Sequence, residues 1–102
     1  SRQEFEVELQ QDAQYDVTGI TVPFNVETAF GVKGMVKVKG SINGYPFRNA
    51  IMPNGDGTHY MVVKKDLRKL AGVSGGQMIH IIMEVDTDER LVDVPDDFRG
   101  RA

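Results

Sequence analysis

The sequence predicts a mainly β chain: a closed six-stranded barrel with a pseudo-two-fold repeat, strand-strand-helix-strand twice, and two short helices. Three observations carry that expectation. Phe5, Val7 and Leu9 alternate with glutamates, and Ile79, Ile81, Met83 and Val85 recur with period 2, the pattern of strands with an inner and an outer face. Asn43-Gly44 separates two strand-like runs, and both residues accept the positive φ that a two-residue hairpin turn needs. Two short helical segments, each closed by Gly-Val, stand 41 residues apart, which points to an internal repeat.

The elements follow in order. Glu4, Glu6, Glu8 and Gln10 form the wet face of the first strand, and residues 11–14 read as a polar turn. Residues 15–22 are rich in β-formers and make the second strand, with Gly19 marking a bulge or bend. Pro23 then opens a helix that Gly31 closes; proline at the first helical position and glycine past the end are the usual brackets. Val26 and Phe30, at i and i+4, share its inner side. Val36 and Val38 face one way in the next strand and Lys37 and Lys39 the other; the hairpin leads into residues 45–52. Residues 53–57, Pro-Asn-Gly-Asp-Gly, are a turn cluster. Residues 58–63 are strand-like. The second helix covers 64–70, with Leu67 and Leu70 inward and Gly72 at its end. Residues 77–85 are the most apolar strand, with Met78 and Ile82 on the face opposite Ile79 and Ile81, so something is expected to cover that outer face. An acidic turn, a short strand at 91–94 and Pro95 complete the chain.

Laid together, residues 22–32 match 63–73, and the offset grows to 42 or 43 in the turn that follows. The expected halves are residues 4–42 and 45–86, with a tail at 87–102, in one domain spanning 1–102. A chain of 102 residues suits one core. With 40% hydrophobic and 26% charged residues it is globular rather than disordered. No apolar run approaches the ~18 residues of a membrane span, and the first residues carry no signal-peptide pattern. The absence of cysteine excludes disulfides, thiolate zinc sites and a cysteine nucleophile. These features fit a cytoplasmic protein with no cofactor and no membrane partner.

Net charge is −3, but Lys33, Lys37, Lys39, Arg48, Lys64, Lys65, Arg68 and Lys69 crowd one stretch against only Asp56 and Asp66. That stretch nominates a site for an anionic small molecule or nucleic acid, built from Lys37, Lys39 and Arg48 with Lys64, Lys65 and Arg68. The alternative is a set of solvated strand edges, since lysine there blunts aggregation. The overall pI near 5.3 argues against a dedicated nucleic-acid binder. A second candidate is the loop of Asn54, Asp56 and His59 with Arg48 nearby, whose backbone N–H groups suit a phosphate or carboxylate. It matches neither the P-loop nor the dinucleotide fingerprint, and a plain hairpin turn is the competing reading. His80, mid-strand, reads as structural. No histidine spacing suggests a metal, no serine sits in a nucleophile motif, and no catalytic residue is assigned. The preferred reading is a non-enzymatic binding module. The alternatives are a small-molecule binder or small enzyme using the 54–59 loop, and an interaction module that dimerises through the outer face of residues 77–85, unless residues 91–98 cover that face. A monomer or homodimer is expected.

Thr21-Val22-Pro23-Phe24-Asn25-Val26, Phe30-Gly31, the run from Lys37 to Arg48, Met52 to His59, Leu67-Arg68-Lys69 and the Val-Asp-Val-Pro-Asp-Asp run near the C-terminus together resemble the bacterial and archaeal family catalogued as domain of unknown function 1905. The resemblance covers nearly the whole chain. It implies a small β-barrel and supplies no activity. Some longer relatives continue into a helical region associated with the YdeI/OmpD-associated proteins, which this sequence lacks. Residues 62–82 are also similar to the half-barrel of AbrB-type transition-state regulators, which bind DNA as two-chain barrels; here the first half lacks the basic helix, so only the fold analogy is useful.

Overall fold

The computed structural model describes residues 2–87. The chain runs β1 (Gln3–Glu8), β2 (Gln10–Asp12), β3 (Val17–Thr21), α1 (Val26–Phe30), β4 (Val36–Ile42), β5 (Tyr45–Pro53), β6 (His59–Val62), α2 (Lys65–Ala71) and β7 (Met78–Val85). All strand pairs are antiparallel, in the order β1-β7-β4-β5-β6-β3-β2. The two ends of that order are continuous in the chain through Leu9, whose backbone also bonds to the residues that precede β7. The Leu9 N–H donates to the Gln77 carbonyl at 2.8 Å, and the Gly76 N–H donates to the Leu9 carbonyl at 2.6 Å. The sheet therefore curls into a nearly closed barrel.

Seven strands stand where six were expected. Gln11 and Asp12, read as the start of a polar turn, instead join Gln10 in pairing with β3, as Gln10↔Gly19, Gln11↔Thr18 and Asp12↔Val17. The first strand runs past Leu9 and changes partner from β7 to β3. Backbone N–H and C=O groups left at a barrel seam must be satisfied, and that demand overrides the polar side chains, all exposed here. The 15–22 segment is correspondingly shorter: Tyr15 and Asp16 belong to the turn, with Asp16 at φ 52.

Inside, alternation works as read. Val38, Ile42, Ile51, Met61, Ile79, Ile81 and Met83 are buried from four strands, and Phe5, Val7 and Val85 pack against them. The Asn43-Gly44 hairpin forms, with φ of 48 and 86 at its two residues. Asn43 also docks sideways onto β7: its N–H donates to the His80 carbonyl and its Oδ1 accepts from the His80 N–H, both at 2.8 Å.

The helices depart from expectation at their starts. α1 begins after Pro23, because Asn25 caps it: the Asn25 side chain is the acceptor for the Thr28 N–H at 2.8 Å. Phe24 is left outside the helix and packs edge-on between Phe5 and Phe30, with centroids 5.6 and 5.4 Å away. α2 covers Lys65–Ala71 and has no fully buried residue; Leu70, expected inward, is 62% exposed while Leu67 and Ala71 make the contact. Both helices end on left-handed glycines, Gly31 and Gly72. The expected strand at 91–94 and the tail lie outside the described residues. Among the described residues no helix is long and apolar enough to cross a membrane.

Candidate functional site

Strand parity and register fix the outer surface. Glu4, Glu6 and Glu8 line β1. Next to it, β7 presents Met78, His80, Ile82 and Glu84. β4 presents Lys37 and Lys39, and β5 presents Arg48 and Met52. Lys39 pairs across the sheet with Arg48 on one side and Glu84 on the other. The structure thus brings Lys37, Lys39 and Arg48 onto one face. A shallow concavity of about 430 Å³ lies there, lined by Lys39, Gly40, Phe47, Arg48 and Glu84. Arg48 is anchored: its Nε is 3.6 Å from Asp86 Oδ2, and the Asp86 side chain is fully buried. The Asp86 N–H in turn donates to the Lys37 carbonyl at 2.8 Å.

The cations of α2 are on a different element. Lys64 and Lys65 are exposed. Arg68 is half-buried and spends one guanidinium N–H on the Val63 carbonyl at 2.6 Å, a structural contact at the helix entry.

The 54–59 segment divides in two. Asn54 N–H donates to the Thr58 carbonyl at 2.8 Å, and its side-chain amide donates to Thr58 Oγ1 at 2.9 Å. Asp56 Oδ1 accepts from the Thr58 hydroxyl at 2.6 Å and the Thr58 N–H at 3.0 Å. Those two bonds, the hydroxyl first, hold the Asp56 carboxyl below its ordinary value. The loop's polar groups serve its own turn, the hairpin reading. His59 has left the loop: it opens β6, is 3% exposed, and its Nε2 lies 2.9 Å from the Gly34 carbonyl. A carbonyl only accepts, so the ring proton sits on Nε2, and Nδ1 is buried with no partner. Arg48 lines the concavity on β4 and β5, whereas Asp56 and His59 line neither that concavity nor the groove described below.

His80 is held on the outer face by β1, its Nε2 2.8 Å from Glu4 Oε2 and its Nδ1 3.7 Å from Glu6 Oε2. Among the described residues no group of three or more His, Asp or Glu side chains is placed to hold a metal ion.

A groove of about 1080 Å³ lies along β2, β3 and β6, with Tyr15, Val17, Tyr60, Glu8, Asp12 and Asn54 in its lining. Tyr15 is 68% and Tyr60 37% exposed. Sequence reasoning missed it, although Tyr60 sits at outward parity between inward His59 and Met61, which is the signal an exposed strand aromatic gives.

No curated protein matches the chain. One family model, described as a domain of unknown function (DUF1905), matches residues 5–83. That span starts at Phe5 in β1, ends at Met83 in β7, and takes in both helices and every strand between. With well over half its length matched from the barrel's first strand to its last, the chain belongs to the DUF1905 family.

Proposed function

We propose that this domain is a binding module for an anionic ligand, held on the outer face of β4 and β5 by Lys37, Lys39 and Arg48. The observation that carries the reading is the direct Lys39–Arg48 pairing across the two strands. Directly opposite cross-strand residues stand close enough for one anion to meet both side chains. Asp86 fixes the root of Arg48, so its guanidinium meets a ligand with less entropy to lose. Glu84 interrupts the positive face, which favours a small anion over a long nucleic acid. The absence of cysteine supports a reducing compartment, the cytoplasm.

Calorimetric titration with inorganic pyrophosphate, and with a single-stranded oligonucleotide, tests this. Pyrophosphate is expected to bind at low salt and to weaken as salt rises. Lys39→Glu is expected to weaken it at least about tenfold, or about 1.4 kcal/mol. A steep salt slope with the oligonucleotide alone shifts the reading to nucleic acid; no binding of either at low salt removes it.

We also propose that residues 4–42 and 45–86 are repeats related by a two-fold axis. Support comes from the equivalent strands pairing with each other, β3 with β6 and β4 with β7, and from the matched helix ends at Gly31 and Gly72. A fragment of residues 44–87 is then expected to self-associate into a two-chain barrel. Size-exclusion chromatography and circular dichroism check it; a monomeric, unstructured fragment counts against equivalence of the halves.

A further inference from the structure

The geometry points to a second site: the groove on β2, β3 and β6 binds a neutral, hydroxyl-rich ring, a saccharide. Its lining contains Glu8 and Asp12 and no lysine or arginine. An anion entering it meets only negative charge, so its ligand differs in kind from that of the basic face. Tyr15 and Tyr60 supply exposed aromatic faces, onto which the apolar C–H face of a sugar ring packs. The two carboxylates supply acceptors for ring hydroxyls, and bonds to an ionised carboxylate are the stronger kind.

The site is built on fixed elements. Tyr60 stands on β6 between Thr21 of β3 and Met52 of β5. Tyr15 belongs to a turn in which Asp12 Oδ1 accepts from the Gln14 N–H at 2.9 Å and the Tyr15 N–H at 3.4 Å. Gly19, paired with Gln10 and Val62, also lines the groove and adds no side chain to its floor. A volume of about 1080 Å³ accommodates more than one sugar ring; ordinary small-molecule sites span roughly 300–1,000 Å³.

The chain has no tryptophan and three tyrosines, two of them in the groove, so intrinsic tyrosine emission reports occupancy directly. The full chain is titrated with glucose-, galactose- and N-acetylglucosamine-based disaccharides, and with adenosine as an aromatic comparator. At least one disaccharide is expected to shift the emission saturably below about 10 mM. The affinity is expected to hold between about 0.05 and 0.5 M salt and to survive Lys39→Glu, which separates this site from the basic face. Tyr60→Ala, with folding confirmed by circular dichroism, and Tyr15→Ala on the turn are each expected to weaken binding about tenfold, while Tyr60→Phe retains it. Saccharides without effect, adenosine binding in their place, or unchanged affinity in both alanine variants overturns the proposal.

Discussion

Gly40→Ala is expected to cost the barrel at least about 3 kcal/mol, a large share of the about 5–15 kcal/mol that holds a domain of this size folded. Gly40 sits mid-β4, opposite Phe47 of β5 and Met83 of β7. A Cβ built there overlaps the Ile82 carbonyl oxygen and presses on the Met83 Cα. Both atoms are backbone of a strand paired on its two sides, β1 and β4. Overpacking a core against side chains costs typically about 1–3 kcal/mol; here no rotamer can yield, so ladder hydrogen bonds must break instead. Glycine within a strand marks such close approach. Gly34→Ala is the control, because nothing lies within 4 Å of its Cβ position, and it should change stability by less than about 1 kcal/mol. Urea midpoints of the two variants check the difference. Equal midpoints would falsify the close-approach account. Gly19, whose Cβ meets the Met61 carbonyl oxygen, should behave as Gly40 does.

These positions show what the sequence disclosed and what it withheld. Period 2 identified Ile79, Ile81 and Met83 as inner residues because burial on one face leaves an imprint on side-chain type. Asn43-Gly44 was legible because only a few residues tolerate its backbone. β2 was not, since Gln10, Gln11 and Asp12 pair through backbone atoms alone and bury nothing. Pro23 misled for a related reason: the Asn25 side chain offered a better cap two residues later. Leu70 obeyed helical spacing, yet α2 touches the barrel on one narrow line, so spacing alone overstated the contact.

The candidate site divided along the same principle. Lys37, Lys39 and Arg48 share a face by parity and register, and parity is local. His59 and Asp56 separated because β6 begins at His59, which then follows Met61 inward. That parity was present in the sequence but was masked by the turn cluster before it. Tyr15 and Tyr60 line one groove only because β3 pairs with β6, a long-range fact that no local pattern carries.

Arg48→Ala is expected to destabilise the fold by about 2 kcal/mol, whereas Lys37→Ala costs under about 0.5 kcal/mol, the usual surface value. The cause is Asp86, whose side chain is fully buried while Arg48 is half exposed, at 3.6 Å. Removing one partner of a buried pair costs about 3–5 kcal/mol because the other charge stays behind in a poor solvent; water reaching Arg48 lowers that figure. Arg48→Lys should recover only part of the loss, since an ammonium does not reproduce the planar guanidinium. Adding Asp86→Asn to Arg48→Ala removes the stranded charge, so the double variant should be more stable than the sum of the single losses. Strict additivity in chemical denaturation would remove the electrostatic explanation. The result bears on function as well. Arg48 is the residue that a charge pattern nominates first for ligand contact, and it also anchors the end of β7. A binding loss on its removal therefore counts only when Lys39→Gln, which sets no second carboxylate opposite Glu84, reproduces it with stability intact.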